Sequence, residues 1–81
     1  MSKEMNLEPL SSLANGEQAV IRDIQGGRCI RSRLIAMGLM PGKELTVLNN
    51  IPNGPFIVQI DDTRIALGRG QADKIIVTKE Q

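Results

Sequence analysis

Phe56-Ile57-Val58-Gln59-Ile60-Asp61-Asp62-Thr63-Arg64-Ile65-Ala66-Leu67 is the stretch that decides the fold. Phe56, Val58 and Ile60 recur at the period of two that lines one face of a strand, and Ile65 and Leu67 do the same beyond two turn-forming aspartates. A two-residue connection between alternating runs predicts an antiparallel hairpin, Phe56–Ile60 against Thr63–Leu67, with Gln59 and Arg64 facing away from the core. The aspartates are adjacent turn residues, chosen for backbone reasons, and do not converge on one atom as catalytic carboxylates would.

Working upstream, Glu44–Asn49 reads as another strand, through Leu45, Thr46, Val47 and Leu48. Between it and Phe56 lies Asn50-Ile51-Pro52-Asn53-Gly54-Pro55, a run of turn formers too dense for a ladder. Glu17–Ile24 reads as the first strand, preceded by a turn at Asn15-Gly16 and by a short apolar lead-in, Leu7, Leu10 and Leu13 around Pro9. Downstream, Gly68-Arg69-Gly70 ends the hairpin, Gln71–Asp73 has room for one helical turn, and Ile75-Ile76-Val77 closes as a fifth strand.

One segment carries a different period. Gly26-Gly27 breaks the first strand, and from Arg28 to Met37 the apolar residues Ile30, Leu34 and Met37 fall at i, i+4 and i+7, one face of a helix. Gly38 stands where a left-handed C-terminal cap is needed, and Pro41-Gly42 suits the centre of a type II turn, so these three are structural turn residues. The expected architecture is mainly β: a small, closed or nearly closed barrel of about five strands, with one short helix after the first strand plugging an open end. Residues 7–78 form a single domain, with residues 1–6 and 79–81 read as flexible ends.

Composition narrows the chemistry. The chain has 81 residues, no His, no Trp, no Tyr and one Phe, so its core is built from Leu, Ile, Val and Met. Missing histidine removes the commonest general base and the commonest transition-metal ligand. Cys29 has no histidine to activate it, cannot pair within the chain, and reads from the helical wheel as a small filler at the edge of the apolar stripe. A lone cysteine favours a reducing cytosol. Asp61, Asp62, Glu44, Met37, Met40 and Cys29 mix hard and soft donors, which makes a poor metal site. Gly68-Arg69-Gly70 lacks the spacing and the lysine of a phosphate cradle. No catalytic residue, metal site or cofactor is therefore expected. No run approaches the roughly 18 apolar residues of a membrane span, and Met1-Ser2-Lys3-Glu4 opens no signal peptide, so a cytoplasmic place is expected.

Charge is unevenly placed. Arg22, Arg28, Arg31, Arg33 and Lys43 stand against Asp23 alone between residues 22 and 43, an excess of four cations in a chain whose net charge is +1. A bipolar domain of this kind is suited to an oriented encounter with an acidic surface.

Arg31-Ser32-Arg33-Leu34-Ile35-Ala36-Met37-Gly38-Leu39-Met40-Pro41-Gly42 resembles the R-x-R-L-x-x-M-G-L-x-P-G signature of the FeoA family, the small cytosolic component of bacterial ferrous-iron uptake. The likeness continues through Asn53-Gly54-Pro55, Arg64–Gly70 and Ala72–Val77. It implies an SH3-like barrel and a partner, the FeoB-type membrane iron permease with its cytosolic GTP-binding domain, whose assembly or GTPase-linked transport the small protein supports. Many members read P-L-G-D-P where this chain reads Pro52-Asn53-Gly54-Pro55, so no role passes from the missing acid. The same domain type ends iron-dependent repressors of the diphtheria-toxin-repressor class, but no DNA-binding helices precede it in this sequence.

On the helical wheel Arg28, Arg31 and Ile35 lie opposite Ile30, Leu34 and Met37, which sets a branched apolar residue among two guanidinium groups. That combination is characteristic of contact patches. These three, with Asn53 and Gly54 in the loop, are the expected partner-binding residues, and recruitment to the inner face of the cell membrane would follow from docking on a permease. Two other readings remain, a nucleic-acid-binding barrel and a weakly self-associating one. Near-neutral total charge and the absence of exposed aromatic side chains on which bases could stack argue against nucleic acid.

Overall fold

The computed structural model describes residues 6–79; the flexible ends expected from the sequence fall largely on residues 1–5 and 80–81, outside the described residues. Six antiparallel strands form one sheet in the order β1-β6-β2-β3-β4-β5. They are β1 (Glu8–Pro9), β2 (Gln18–Ile24), β3 (Glu44–Asn50), β4 (Phe56–Ile60), β5 (Thr63–Leu67) and β6 (Ile75–Lys79). Helix α1 (Arg28–Ala36) follows β2, α2 (Arg69–Lys74) precedes β6, and a 3₁₀ turn (Leu10–Ser12) follows β1.

The β4–β5 hairpin has the expected register, Phe56 opposite Leu67, Val58 opposite Ile65 and Ile60 opposite Thr63. Burial alternates as the sequence does: Phe56, Val58, Ile60, Ile65 and Leu67 are buried and Arg64 is exposed. β2 departs from strict alternation. A bulge between Ile21 and Asp23 turns both Arg22 and Asp23 outward and lets Ile24 return to the core. The bulge is held on both sides, since the Arg22 Nε donates to Thr78 Oγ1 at 3.0 Å and the Ile24 N–H donates to Asp23 Oδ1 at 2.8 Å. A second bulge, at Leu48, leaves that side chain 37 % exposed.

Three elements differ from the sequence reading. The extra strand, β1, is two residues long and pairs Glu8 with Val77 and Pro9 with Ile76, too short to leave any periodicity. Asn50 belongs to β3 rather than to the loop, opposite Phe56. α2 begins at Arg69, where the glycines on either side read as a break; Gln71 Oε1 accepts the Gly68 N–H at 3.0 Å and so closes the helix start.

The core is aliphatic around Phe56, and Leu10, Leu13, Ile21, Leu34, Leu39, Val47, Val58, Ile75 and Val77 are all wholly buried with it. From α1 only Leu34 is buried, with Ile30 and Met37 packed against the cluster. The helix stops in a Schellman arrangement: the Leu39 N–H reaches the Leu34 carbonyl at 3.0 Å and the Gly38 N–H reaches Ile35 at 2.9 Å. That geometry needs the left-handed backbone of Gly38, φ +102°. Four residues on, Lys43 N–H bonds the Met40 carbonyl at 3.1 Å across Pro41-Gly42, with Gly42 at φ +95°, and the chain turns into β3.

The turn before β2 is tied to the far end of the chain. Glu17 Oε1 accepts the Ala14 N–H at 2.7 Å, and its other oxygen lies 3.2 Å from Lys79 Nζ. First the Ala14 amide and then the Lys79 ammonium hold the Glu17 carboxyl below its ordinary value of 4.5.

Two predictions follow from these contacts. A Cβ at Gly38 would meet no atom within 4 Å, so Gly38→Ala costs backbone strain alone, about 1–2 kcal/mol in urea denaturation. Because the folded state favours ionised Glu17, its contribution is complete above the ordinary carboxyl range and is lost as pH falls below about 4.5. Denaturation midpoints of wild type should fall more steeply than those of Glu17→Gln over that acid range.

Candidate functional site

α1 carries the cationic face. Its N-cap is Gly27, which offers no side chain, and no acid occupies the first turn. Arg28, the first helical residue, is exposed and makes no ion pair with a described residue. Arg31 behaves differently. Its Nη1 donates to the Ile24 carbonyl at 2.7 Å and lies 3.6 Å from Asp23 Oδ1, so it fastens α1 to the bulged end of β2. Ile35 is 37 % exposed on the same side, as the helical wheel requires. Arg28 and Ile35 are therefore open to solvent, while Arg31 first fastens the helix and keeps donors to spare.

Cys29 is exposed, not the packed filler its place beside the apolar stripe implied. The reason is the narrowness of the buried stripe: α1 lies on the domain by Leu34, flanked by Ile30 and Met37, and no element covers the flank where Cys29 stands.

Asn53 and Gly54 lie in the β3–β4 loop. Gly54 N–H donates to the Ile51 carbonyl at 2.9 Å, closing a turn with Pro52 and Asn53 at its centre and Asn53 at φ +66°. Two residues hold this loop that the sequence did not single out. Arg69 Nη2 donates to Asn50 Oδ1 at 2.8 Å and to the Ile51 carbonyl at 2.9 Å, while its guanidinium carbon sits 5.7 Å from the centre of the Phe56 ring. The Asn50 amide donates to the carbonyls of Ser11 and Leu13, and its N–H donates to Asn15 Oδ1 at 2.6 Å. One asparagine thus ties lead-in, loop and α2 together. A hint was present in the sequence: Arg69 is a lone cation between two glycines, in a chain with one aromatic ring for it to cover.

The helix face and the loop are separate patches joined by α2. Arg69 at the start of α2 touches the loop, and the carbonyl of Lys74 at its end accepts the Gln25 N–H at 2.7 Å, just before α1. Six helical residues span about 9 Å, which is the scale of the separation along that element. An open groove runs along the loop side, between Pro52, Asn53 and Pro55 on one wall and Leu67, Gly68 and Arg69 on the other.

The remaining chemistry is sparse. Asp61 takes a left-handed turn conformation, φ +55°, and faces Lys43 at 3.6 Å. Among the described residues no three of His, Cys, Asp and Glu gather where they could hold a metal ion, and no helix is long and apolar enough to cross a membrane. What the surface presents is cations, an exposed isoleucine and a shaped groove.

The FeoA domain family model matches residues 8–79. A putative Fe(2+) transport protein A from Methanocaldococcus jannaschii is 39 % identical over 69 residues, covering 85 % of this chain and 83 % of that protein. A fusion of Fe(2+) transport protein A with the Fe(2+) transporter FeoB, from Porphyromonas gingivalis, is also 39 % identical over 69 residues, 84 % of this chain but 8 % of the fusion. Among solved structures, an iron uptake regulatory protein (FeoA) superposes with a TM-score of 0.87 at 36 % identity, over 93 % of this chain and all of the other. The zinc complex of Stenotrophomonas maltophilia FeoA, described as a prokaryotic SH3 domain protein, gives 0.76 at 30 % identity, over 90 % of this chain and 95 % of the other. The barrel is thus SH3-like, and with its signature helix, its left-handed stop and nearly all of its described length matched by the family model, the chain belongs to the FeoA family of ferrous-iron transport.

Proposed function

We propose that this protein is a non-catalytic accessory subunit of ferrous-iron uptake. It works in the cytoplasm, at the inner face of the membrane, by docking on the cytosolic part of a FeoB-type permease and supporting its assembly or GTPase-linked transport. The observation that carries the reading is the fusion relative, in which a domain 39 % identical to this one is joined to FeoB in a single polypeptide. Covalent linkage raises the local concentration of two domains toward each other, and it is of use where they meet in any case.

The outward face of α1 supports the same reading. Arg28 and Ile35 combine a cation with no ion pair among the described residues and exposed apolar area, and Arg31 has donors left after its bond to Ile24. Cations on one rigid helix favour an acidic patch on the partner, which speeds encounter and orients it. Asn53 and Gly54 form the second patch, held stiff by Arg69 and so presented with little ordering cost.

Charge reversal at Arg28 should weaken binding to the cytosolic part of the permease about tenfold, and adding Ile35→Asp should weaken it further, with the fold intact by circular dichroism. Arg31→Glu should reduce both binding and thermal stability, because it also removes the bond to Ile24. Unchanged pull-down and unchanged iron-dependent growth for the Arg28→Glu, Ile35→Asp variant would reject this face.

A further inference from the structure

The sheet has two ends, and they are not treated alike. β1 closes one end with two residues, the second of them Pro9, followed at once by a 3₁₀ turn. Such an edge gives a passing strand almost nothing to pair with. β5 closes the other end with five residues, Thr63–Leu67, without a proline, a bulge or an inward charge.

The register tells which groups of β5 are free. Opposed residues of an antiparallel pair alternate between exchanging both hydrogen bonds and exchanging none. Ile60 and Thr63 close the two-residue connection as a bonded pair, so Val58–Ile65 and Phe56–Leu67 are bonded as well. Arg64 and Ala66 therefore point their N–H and carbonyl groups away from β4, and among the described residues neither makes a backbone bond outside the sheet. Both residues are exposed.

This bare edge leads into the groove. Leu67, Gly68 and Arg69 continue β5 and form one groove wall. Gly68 leaves the backbone open where a chain would cross, since a Cβ there would meet only Gln71 Oε1, at 3.8 Å. Two cations mark the path, Arg64 beside the edge and Arg69 at the groove, and neither pairs with an acid among the described residues. We propose that β5 is a strand-addition site: an extended, acidic segment of a partner protein pairs with Arg64 and Ala66 and runs past Gly68 into the groove below Asn53.

The charge distribution chooses that occupant over a second copy of this chain. Antiparallel pairing of β5 with its own twin that engages both Arg64 and Ala66, centred on Ile65, sets the two Arg64 side chains diagonal on one face, whereas a carboxylate-bearing strand meets both cations favourably. Backbone pairing supplies affinity and the arginines supply direction, as in other strand-addition complexes.

The proposal rests on the docking reading above, with the permease as partner. The test is amide hydrogen exchange of the full chain, alone and with the soluble cytosolic portion of the FeoB-type permease. In the complex, exchange at Arg64 and Ala66 should slow about tenfold or more, while the already bonded Ile65 and Leu67 change little. Ala66→Pro removes one free-edge N–H and should lower affinity about tenfold. If that variant fails to fold, Arg64→Glu should give a comparable loss. A complex that leaves the Arg64 and Ala66 amides exchanging as in the free chain overturns the strand-addition site and leaves the docking reading standing. Protection that rises with the concentration of this chain alone would assign the edge to self-association and overturn it too. No complex at all overturns both.

Discussion

Everything the surface does depends on how Leu34 and Leu39 reach the core from the two sides of Gly38. Both side chains are wholly buried, and the bonds from Leu39 to Leu34 and from Gly38 to Ile35 fix the angle at which α1 meets the barrel. Since Leu34 is the one residue of α1 that is fully buried, that anchor and its left-handed stop set which way the helix faces. Arg31, bonded to Ile24 and beside Asp23, fastens the other end. The result is a short helix held rigidly at both ends, with Arg28 and Ile35 turned to solvent.

A similar economy governs the opposite patch. The β3–β4 loop leaves Ile51 exposed, but Arg69 and Asn50 together bond it to the lead-in and to the start of α2. Phe56 does two jobs there. Its side chain is wholly buried in the core, and the Arg69 guanidinium lies over its ring. A chain with one aromatic ring has placed it where core, loop and groove meet.

The parts legible in the sequence were those with a local cause. Alternation in Phe56–Leu67 specified the hairpin and its register, and the spacing of Ile30, Leu34 and Met37 with Gly38 beyond them specified the helix and its stop. Arg28 and Ile35 stand on the outward face for the same reason. What stayed hidden depended on distance along the chain. Asn50 meets Leu13 and Ser11 from 37 and 39 residues away, and Arg69 meets Asn50 from 19, so no pattern in a short window betrays them. Cys29 went the other way, since a helical wheel ranks positions by angle but not by whether a neighbour covers them. The two-residue β1 exists only because β6 is there to receive it.

A barrel with a fixed cationic helix, a bonded loop and one bare strand edge is suited to recognition, which is the basis of the docking role proposed above. The most direct measurement of that claim is a calorimetric titration of this chain with the cytosolic part of the permease at low and at high salt. Saturable binding that weakens as salt rises is the predicted result, because the face in question is cationic. Heat that never saturates, or an affinity indifferent to salt, would contradict it.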